Sequence, residues 1–267
     1  MIHDQHVHSY YSFDSKQPIE EYLDETSKLG LNYFVLTDHC DFDHLNTGKD
    51  LFFDVKKQRE ELEQLQKKYP SIKILFGIEM GYRPQDIKRT KKVLEENTFD
   101  LINLSLHELD DIDYFYPDRF IQDGIDSTLN TYFFKQLEMV RDFDNFDVLC
   151  HIDYGFKTAY KIDNSLKISK YEDIIISIMK ELIRKEKAFE INTRVQEVLP
   201  IEHTKYLLSL YKKLGGQYLT LSSDAHDISR FRKDFDKYLK VIKDAGFNQL
   251  TYFVDRKKHL YHLINHK

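Results

Sequence analysis

The chain has 267 residues and a formal net charge of −6, with 31% charged and 41% hydrophobic residues. This length suits one α/β barrel, and the lysines are dispersed, whereas nucleic-acid binding favours a basic face. No apolar run reaches the roughly 18 residues that a membrane-spanning helix needs, and the N-terminus lacks a signal-peptide pattern. We therefore expect one cytoplasmic domain over residues 1–267 that binds neither nucleic acid nor membrane. The pattern does not indicate an oligomeric state.

Short β-branched or aromatic runs alternate with longer amphipathic stretches along the whole chain. Strands are predicted over 1–8, 33–38, 73–79, 99–107, 147–151, 188–192 and 217–224, and a weaker one over 250–254. Helices are predicted over 19–29, 55–69, 85–95, 127–141, 171–185, 201–214 and 230–245. In the second helix, Val55, Leu62, Leu65 and Tyr69 recur at helical spacing among Lys, Glu and Gln, which gives one buried face and one solvated face.

Seven strand–helix units in series imply a parallel sheet that is covered on both faces. A closed barrel and an open doubly wound sheet both satisfy this order, but polar residues lie at or just after the ends of all seven strands. They are His6, His8, Asp38, His39, Glu79, His107, His151, Asp153, Asn192, Arg194, Asp224 and His226. An open sheet concentrates its site at one switch point, whereas a barrel gathers every strand end into one mouth. We therefore predict a distorted (β/α)7 TIM-like barrel.

Two short signatures at opposite ends of the chain, His6-Val7-His8 and Asp224-Ala225-His226, suggest metal binding. His6 and His8 are two residues apart on a strand, so their side chains face the same way. Four more candidates lie at other strand ends: His39, Glu79, His107 and His151. Imidazole and carboxylate groups are the usual protein ligands of zinc, iron and manganese. Because buried imidazoles without partners would be costly, the joint pattern predicts a multinuclear metal site.

These motifs resemble the PHP (polymerase and histidinol phosphatase) family, and most closely its stand-alone histidinol-phosphatase members. The matching segments are His6-Val7-His8, Thr37-Asp38-His39, Gly77-Ile78-Glu79, Ser105-Leu106-His107, His151-Ile152-Asp153, Glu190-Ile191-Asn192 and Ser223-Asp224-Ala225-His226. The resemblance implies a distorted (β/α)7 barrel with three divalent ions, which are zinc, iron or manganese. It assigns the first ion to His6, His8, Glu79 and Asp224, the second to Glu79, His107 and His151, and the third to His39 and His226.

One position departs from the family pattern. Many members have a third histidine six residues after the His-x-His pair, and this chain has Asp14 there. An aspartate can ligate the same metals, so Asp14 is predicted to be a ligand of the third ion. The alternative is a loop or capping residue before Pro18.

Closely spaced divalent ions activate water and neutralise the oxygens of a phosphate monoester. We hypothesise that a metal-bridging hydroxide held over Glu79 attacks the phosphorus. The predicted catalytic residues are Glu79, Asp224, His226 and Arg194. The leaving alkoxide would take its proton from a rim histidine or aspartate or from a metal-bound water, and the sequence does not choose among them.

The substrate implied by the resemblance is L-histidinol phosphate, a small molecule of histidine biosynthesis with an amine and an imidazole. Arg194 could present a guanidinium fork to the phosphate, with Lys157 as a second cation. Glu108 and Asp153 are predicted to meet the cationic part, although Asp153 could instead orient a histidine. The alternatives are an enzyme for another phosphomonoester, such as phosphotyrosine or a nucleotide, and a non-catalytic metal-binding module.

The two cysteines, Cys40 and Cys150, each lie beside a candidate ligand histidine. Their small number and the expected cytoplasmic location predict reduced, buried thiols. A disulfide is the alternative that the sequence alone leaves open.

Overall fold

The computed structural model describes residues 3–263 and alternates strands with helices along the chain. The strands are β1 (Tyr33–Leu36), β2 (His39–His44), β3 (Lys49–Phe52), β4 (Lys73–Gly81), β5 (Leu101–Ser105), β6 (Glu108–Leu109), β7 (Ile112–Asp113), β8 (Val148–Leu149), β9 (Ala188–Asn192), β10 (Leu219–Ser222), β11 (Gln249–Val254) and β12 (Lys257–His262). The helices are α1 (Ile19–Lys28), α2 (Val55–Lys68), α3 (Ile87–Glu96), α4 (Asp118–Gln122), α5 (Ile125–Asp142), α6 (Tyr154–Ile162), α7 (Glu172–Arg184), α8 (Thr193–Gln196), α9 (Ile201–Lys213) and α10 (Phe235–Asp244).

The parallel strands form a ring of seven positions. β1 and its continuation β2 both pair with β4, and the order then runs through β5, β8 and β9 to β10. Residues 4–8 occupy the seventh position, between the two edges of this sheet. The His8 amide donates to the Ala225 carbonyl oxygen at 2.8 Å, and the Thr37 amide donates to the Val7 carbonyl oxygen at 2.8 Å. The predicted distorted (β/α)7 barrel is therefore confirmed.

Several strands are shorter than predicted where they approach the mouth of the barrel, although β4 extends two residues further than predicted, to Gly81. The predicted strand over 1–8 is reduced to a single bridge from Val7 to Ala225, and its first two residues lie outside the described range. The predicted strand over 147–151 is reduced to β8. His151 and Asp224 have φ angles of +23° and +51°, and extended backbone does not continue through such angles. At these two positions the sheet pairing ends, and the polar residues turn toward the mouth of the barrel.

Helix α2 illustrates how the sequence forms the outer layer. The carboxylate of Asp54 caps the helix by accepting from the Lys57 amide at 3.0 Å, which satisfies one of the free donors at a helix start. Val55, Leu62 and Leu65 are buried on one face, as the spacing predicts. Within residues 3–263, no helix combines the length and the apolar character needed to cross a membrane.

A hairpin of β11 and β12 lies at the opposite end from the polar mouth. The weaker predicted strand over 250–254 is a strand, but it pairs antiparallel with β12 rather than joining the ring. Phe253 packs against Val35, Leu75 and Leu101 from the ring strands, and its amide donates to Gln5 Oε1 at 3.2 Å. The hairpin therefore closes the base of the barrel and leaves the other end accessible. Both cysteines are free and buried, as predicted.

Candidate metal centre

Glu79 lies near the end of β4 and is almost completely buried, with 1% of its surface exposed. Its Oε1 lies 2.9 Å from His151 Nε2 and 3.2 Å from His107 Nε2. Its Oε2 lies 2.9 Å from His39 Nδ1 and 3.3 Å from His6 Nε2. One carboxylate thus faces imidazoles from four different strand positions.

Asp224 gathers a second group of imidazoles after β10. Its Oδ1 lies 3.3 Å from His8 Nε2, 3.4 Å from His226 Nδ1 and 3.9 Å from His6 Nε2. The His8 ring stacks on His226, with ring centres 4.1 Å apart, and on His39 at 4.2 Å. The two sequence signatures therefore meet, although more than two hundred residues separate them.

Asp14 reaches this cluster from the loop that follows His8. Its Oδ2 lies 3.0 Å from His226 Nε2, and its Oδ1 lies 3.6 Å from His39 Nε2. The Ser15 hydroxyl donates to the His226 carbonyl oxygen at 2.8 Å and holds the loop in place. The structure therefore brings together all nine residues that were predicted to bind metals.

Several buried ring nitrogens in the cluster make no contact of hydrogen-bond geometry within the described part of the chain, although some lie close to a carboxylate. They are His6 Nε2, His8 Nε2, His39 Nδ1 and His151 Nδ1. Buried polar atoms are normally paired, and unpaired imidazole nitrogens next to carboxylates are the donor set that zinc and related metals take. Groups of three such atoms lie within 4.8 Å of one another, including those of His6, Glu79 and His151. The residues present therefore fit metal ions.

The pKa shifts in the cluster also favour the binding of positive charge. Burial by itself would raise the pKa of Glu79, but the charges of His6, His107 and His39 outweigh it and hold the pKa well below its ordinary value. Burial would lower the pKa of His107, but the neighbouring carboxylates of Glu79 and Asp41 raise it to about 10. Burial, with the nearby His226 and His39, lowers the pKa of His8 well below its ordinary value. The Glu79 carboxylate therefore stays ionised and attracts positive charge into the cluster.

Two carboxylates that the sequence analysis did not assign to the site lie behind the ligand rings. Asp41 places Oδ1 3.3 Å from His107 Nδ1 and Oδ2 3.5 Å from His39 Nδ1. Glu190 lies 2.9 Å from His6 Nδ1. The sequence held a signal that each acid belongs to the site. Asp41 follows His39 by two residues on one strand and therefore faces the same side. Glu190 is a charged residue between the apolar Phe189 and Ile191 of β9.

On its Nδ1 side, the ring of His8 contacts the Ser12 hydroxyl rather than a carboxylate. The Ser12 hydroxyl donates to Asp38 Oδ1 at 2.6 Å, so it is free to accept from His8 Nδ1, which lies 3.0 Å away. This arrangement leaves Nε2 of His8 with its lone pair toward the cluster. Asp38 thus supports His8 through Ser12, and the Ser12 hydroxyl oxygen also accepts from the His39 backbone amide at 3.1 Å.

A cavity of about 380 Å³ opens onto the cluster. Two cations line it. Arg194 places Nη1 3.1 Å from His226 Nε2 and 3.5 Å from Asp224 Oδ1. Lys157 is 8% exposed, with Nζ 4.3 Å from the centre of the Tyr154 ring. Burial lowers the pKa of Lys157 to about 8. Both predicted phosphate-binding residues therefore face the cavity.

The outer wall of the cavity is acidic and aromatic. Glu108 Oε1 lies 3.1 Å from His44 Nε2, and its Oε2 accepts from the Leu45 amide at 2.9 Å. Asn46 Nδ2 donates to Asp113 Oδ2 at 2.7 Å. These contacts join the β2–β3 hairpin to the β6–β7 hairpin across the mouth. The half-exposed rings of Phe13, Phe115 and Tyr116 also line this wall.

The predicted contact of Asp153 with substrate is wrong in this structure. Its Oδ2 accepts from Gln196 Nε2 at 2.6 Å and lies 2.8 Å from His203 Nε2. The carboxylate therefore points away from the cavity, toward α8 and α9. It does orient a histidine, but His203 is not among the candidate ligands. The next residue, Tyr154, lines the cavity instead.

Comparisons with known proteins place this centre in a family. The PHP domain matches residues 4–194 of the chain. The chain belongs to the PHP domain family. A PHP relative in Lactococcus lactis subsp. lactis, a histidinol-phosphatase, is 31% identical over 257 residues, and the match covers 95% of each chain. A probable histidinol-phosphatase of Clostridium acetobutylicum is 28% identical, over 94% of this chain and 97% of the relative.

A solved PHP structure extends the likeness to three dimensions. It is the crystal structure of a histidinol phosphate phosphatase from Lactococcus lactis, complexed with zinc, L-histidinol and phosphate. It has a TM-score of 0.87 and 29% identity, with 97% of this chain and 98% of that chain covered. The family predicted from the motifs is confirmed, and so is the likeness to its histidinol-phosphatase members.

Proposed function

We propose that this PHP protein is a metal-dependent phosphomonoesterase of histidine biosynthesis that converts L-histidinol phosphate to L-histidinol and inorganic phosphate. The main support is the Lactococcus lactis structure, which covers nearly the whole chain and holds zinc, L-histidinol and phosphate. In this chain, the corresponding fold carries nine convergent ligand residues beneath a cavity of about 380 Å³. We take residues 1–267 to form one catalytic unit.

Three divalent ions, which are zinc, iron or manganese, suit the donor set. The first would be held by His6, His8, Glu79 and Asp224, the second by Glu79, His107 and His151, and the third by Asp14, His39 and His226. Bound ions would supply activated water for attack and would neutralise phosphate oxygens. Glu79 belongs to two of these groups, and its four short imidazole contacts support that shared role.

Arg194 and Lys157 line the same cavity and would hold the phosphate there. A guanidinium binds phosphate through paired hydrogen bonds, whereas an ammonium acts as a point charge. Arg194 also lies beside His226 and Asp224, so it can orient a phosphate directly above the metal ligands. This proximity supports a catalytic role for Arg194, Asp224 and His226 together with Glu79.

The acidic and aromatic wall would hold the rest of the substrate. Glu108 lines the cavity, and its Oε1 lies 3.1 Å from His44 Nε2. A carboxylate oxygen can accept a second hydrogen bond, so Glu108 could also meet the imidazole or amine of L-histidinol phosphate. Asp113 adds a second carboxylate to the wall. Contacts join the two hairpins at the outer wall of the cavity, and we expect this to favour a small ester over a phosphorylated protein or a nucleic acid.

A panel of substrates tests the proposal. Metal-loaded protein should release phosphate from L-histidinol phosphate with a kcat/KM at least about 100-fold above that for phosphotyrosine or nucleoside monophosphates, because a site built around polar partners strongly rejects esters that lack them. A preference for another ester would overturn the substrate assignment. Intact metal binding without turnover of any ester would overturn the enzyme assignment and indicate a metal-binding module.

A variant of Glu108 tests the leaving-group contact separately. Glu108→Gln should raise KM for L-histidinol phosphate while leaving KM for 4-nitrophenyl phosphate, which has no cationic group, unchanged. Asp110→Asn is the matched control, since Asp110 lies in the same loop but is exposed. Equal effects on the two esters would argue against a contact between Glu108 and the substrate cation.

A further inference from the structure

Strand β9 differs from the other strand positions of the ring. Within residues 3–263, each of the other six positions carries a predicted metal ligand at or just after its end, whereas β9 carries none. It contributes Glu190 instead, which is 3% exposed. A buried carboxylate at this position needs partners to offset its desolvation, so its contacts indicate what it does.

Glu190 connects ligands from three strand positions. Its Oε1 lies 2.9 Å from His6 Nδ1. Its Oε2 accepts from the His151 backbone amide at 2.8 Å and from Asn192 Nδ2 at 3.2 Å. The same Asn192 amide lies 3.3 Å from Asp224 Oδ2. A single side chain therefore contacts His6 and His151 directly and reaches Asp224 through one intermediate.

The contact with His6 determines which ring nitrogen is available to a metal. A carboxylate oxygen 2.9 Å from Nδ1 only accepts, so Nδ1 carries the hydrogen. Nε2 is then left with its lone pair, and this is the atom that faces Glu79 without a hydrogen-bond partner. The contact with His151 stabilises a backbone with a φ of +23°, which a non-glycine residue adopts only when its surroundings hold it there.

We propose that Glu190 is a positioning residue of the metal centre, which sets metal affinity by fixing the ring of His6 and the backbone of His151. The proposal depends on the metal centre of the proposed function but not on the identity of the substrate. Carboxylates behind metal-bound histidines commonly contribute about 10- to 100-fold to metal affinity.

Zinc affinity of the Glu190→Gln variant, measured by competition with a chelator and without any substrate, tests this role. The variant should bind zinc about 10- to 100-fold more weakly than the wild type. The matched control is Asp147→Asn. Asp147 is also a buried acid that accepts from a backbone amide, that of Ile102 at 2.8 Å, but it lies at the base of the barrel beside Arg256. The control should keep wild-type affinity.

Unchanged affinity in Glu190→Gln, or an equal loss in Asp147→Asn, would overturn the proposal. Because no ester is used, failure of the substrate assignment would not affect this result. If the variant does not fold, the proposal is tested on the zinc-loaded wild-type protein instead. Long-range proton–nitrogen NMR of its histidine rings shows which ring nitrogen carries hydrogen and which binds zinc. His6 should carry hydrogen on Nδ1 and bind zinc through Nε2, and zinc on Nδ1 would overturn the assignment.

Discussion

Gly81 and Asp41 fit together so closely that a β-carbon on Gly81 would lie 1.8 Å from Asp41 Oδ1. Gly81 ends β4, two residues after Glu79, and Asp41 lies between the rings of His39 and His107. The absence of a side chain at Gly81 is what admits the carboxylate behind these two ligands. A glycine thus serves close approach here rather than an unusual φ angle.

Replacement of Gly81 by alanine is expected to damage the metal centre more than the fold. The new methyl group would displace the Asp41 carboxylate from its two imidazole partners, and loss of such partners costs about 10- to 100-fold in metal affinity or activity. Metal titration and kcat measurements would detect this loss, while the melting temperature of the metal-free protein should change little. Because both changes act on one contact, Asp41→Asn and Gly81→Ala should be non-additive when combined; additive losses would contradict the explanation.

Phosphate binding should weaken as the pH rises through 8. Burial lowers the pKa of Lys157 to about 8, so its ammonium is present below that pH and is lost above it. KM for the ester should therefore rise between pH 7 and 9.5, by about tenfold if the lost contact is one charge-assisted hydrogen bond. Lys157→Met should show a high KM that no longer varies over this range, and the exposed Lys180→Met should behave as wild type. A rise that persists in Lys157→Met would exclude this lysine as its source.

Asp14 should contribute to the capacity of the centre for a third ion. Its carboxylate lies 3.0 Å from His226 Nε2 and 3.6 Å from His39 Nε2. Asp14→Ala should retain about one ion fewer per chain than the wild type after dialysis, as measured by elemental mass spectrometry, because alanine offers no ligand atom. Asp14→His should retain the wild-type number. Full metal content in the alanine variant would favour the alternative role as a loop residue.

Removal of metal should lower thermal stability. A ligand that binds only the folded state stabilises it by about 2.7 kcal/mol when present at 100 times its dissociation constant. For a chain of this size, this corresponds to a fall in melting temperature of roughly 5–10 °C on chelation. Glu79→Gln, which removes the carboxylate shared by four imidazoles, should show a much smaller difference between loaded and chelated protein. Equal melting temperatures of the wild type with and without chelator would contradict the expected coupling between metal binding and folding stability.

The sequence alone determined the fold class and the members of the ligand cluster. Both depend on local patterns, because apolar runs of strand length alternate with amphipathic helices, and His6, Glu79 and Asp224 each lie at or near the end of such a run. The ends of parallel strands in a barrel share one mouth, so membership of the cluster follows without knowledge of distances. Asp14 came instead from the family resemblance, because it lies where many members have a third histidine.

Only the tertiary structure decided which side chains support the ligands and which way the neighbouring acids point. Glu190 meets His6 across 184 residues of chain, and Asp153 faces His203 rather than the cavity. Such contacts depend on the register between distant strands and on backbone turns such as that at His151, and a change of one residue in register reverses the face on which a side chain lies. Periodicity along the chain specifies the strands, but the packing of one strand against another selects the partner of each ring nitrogen.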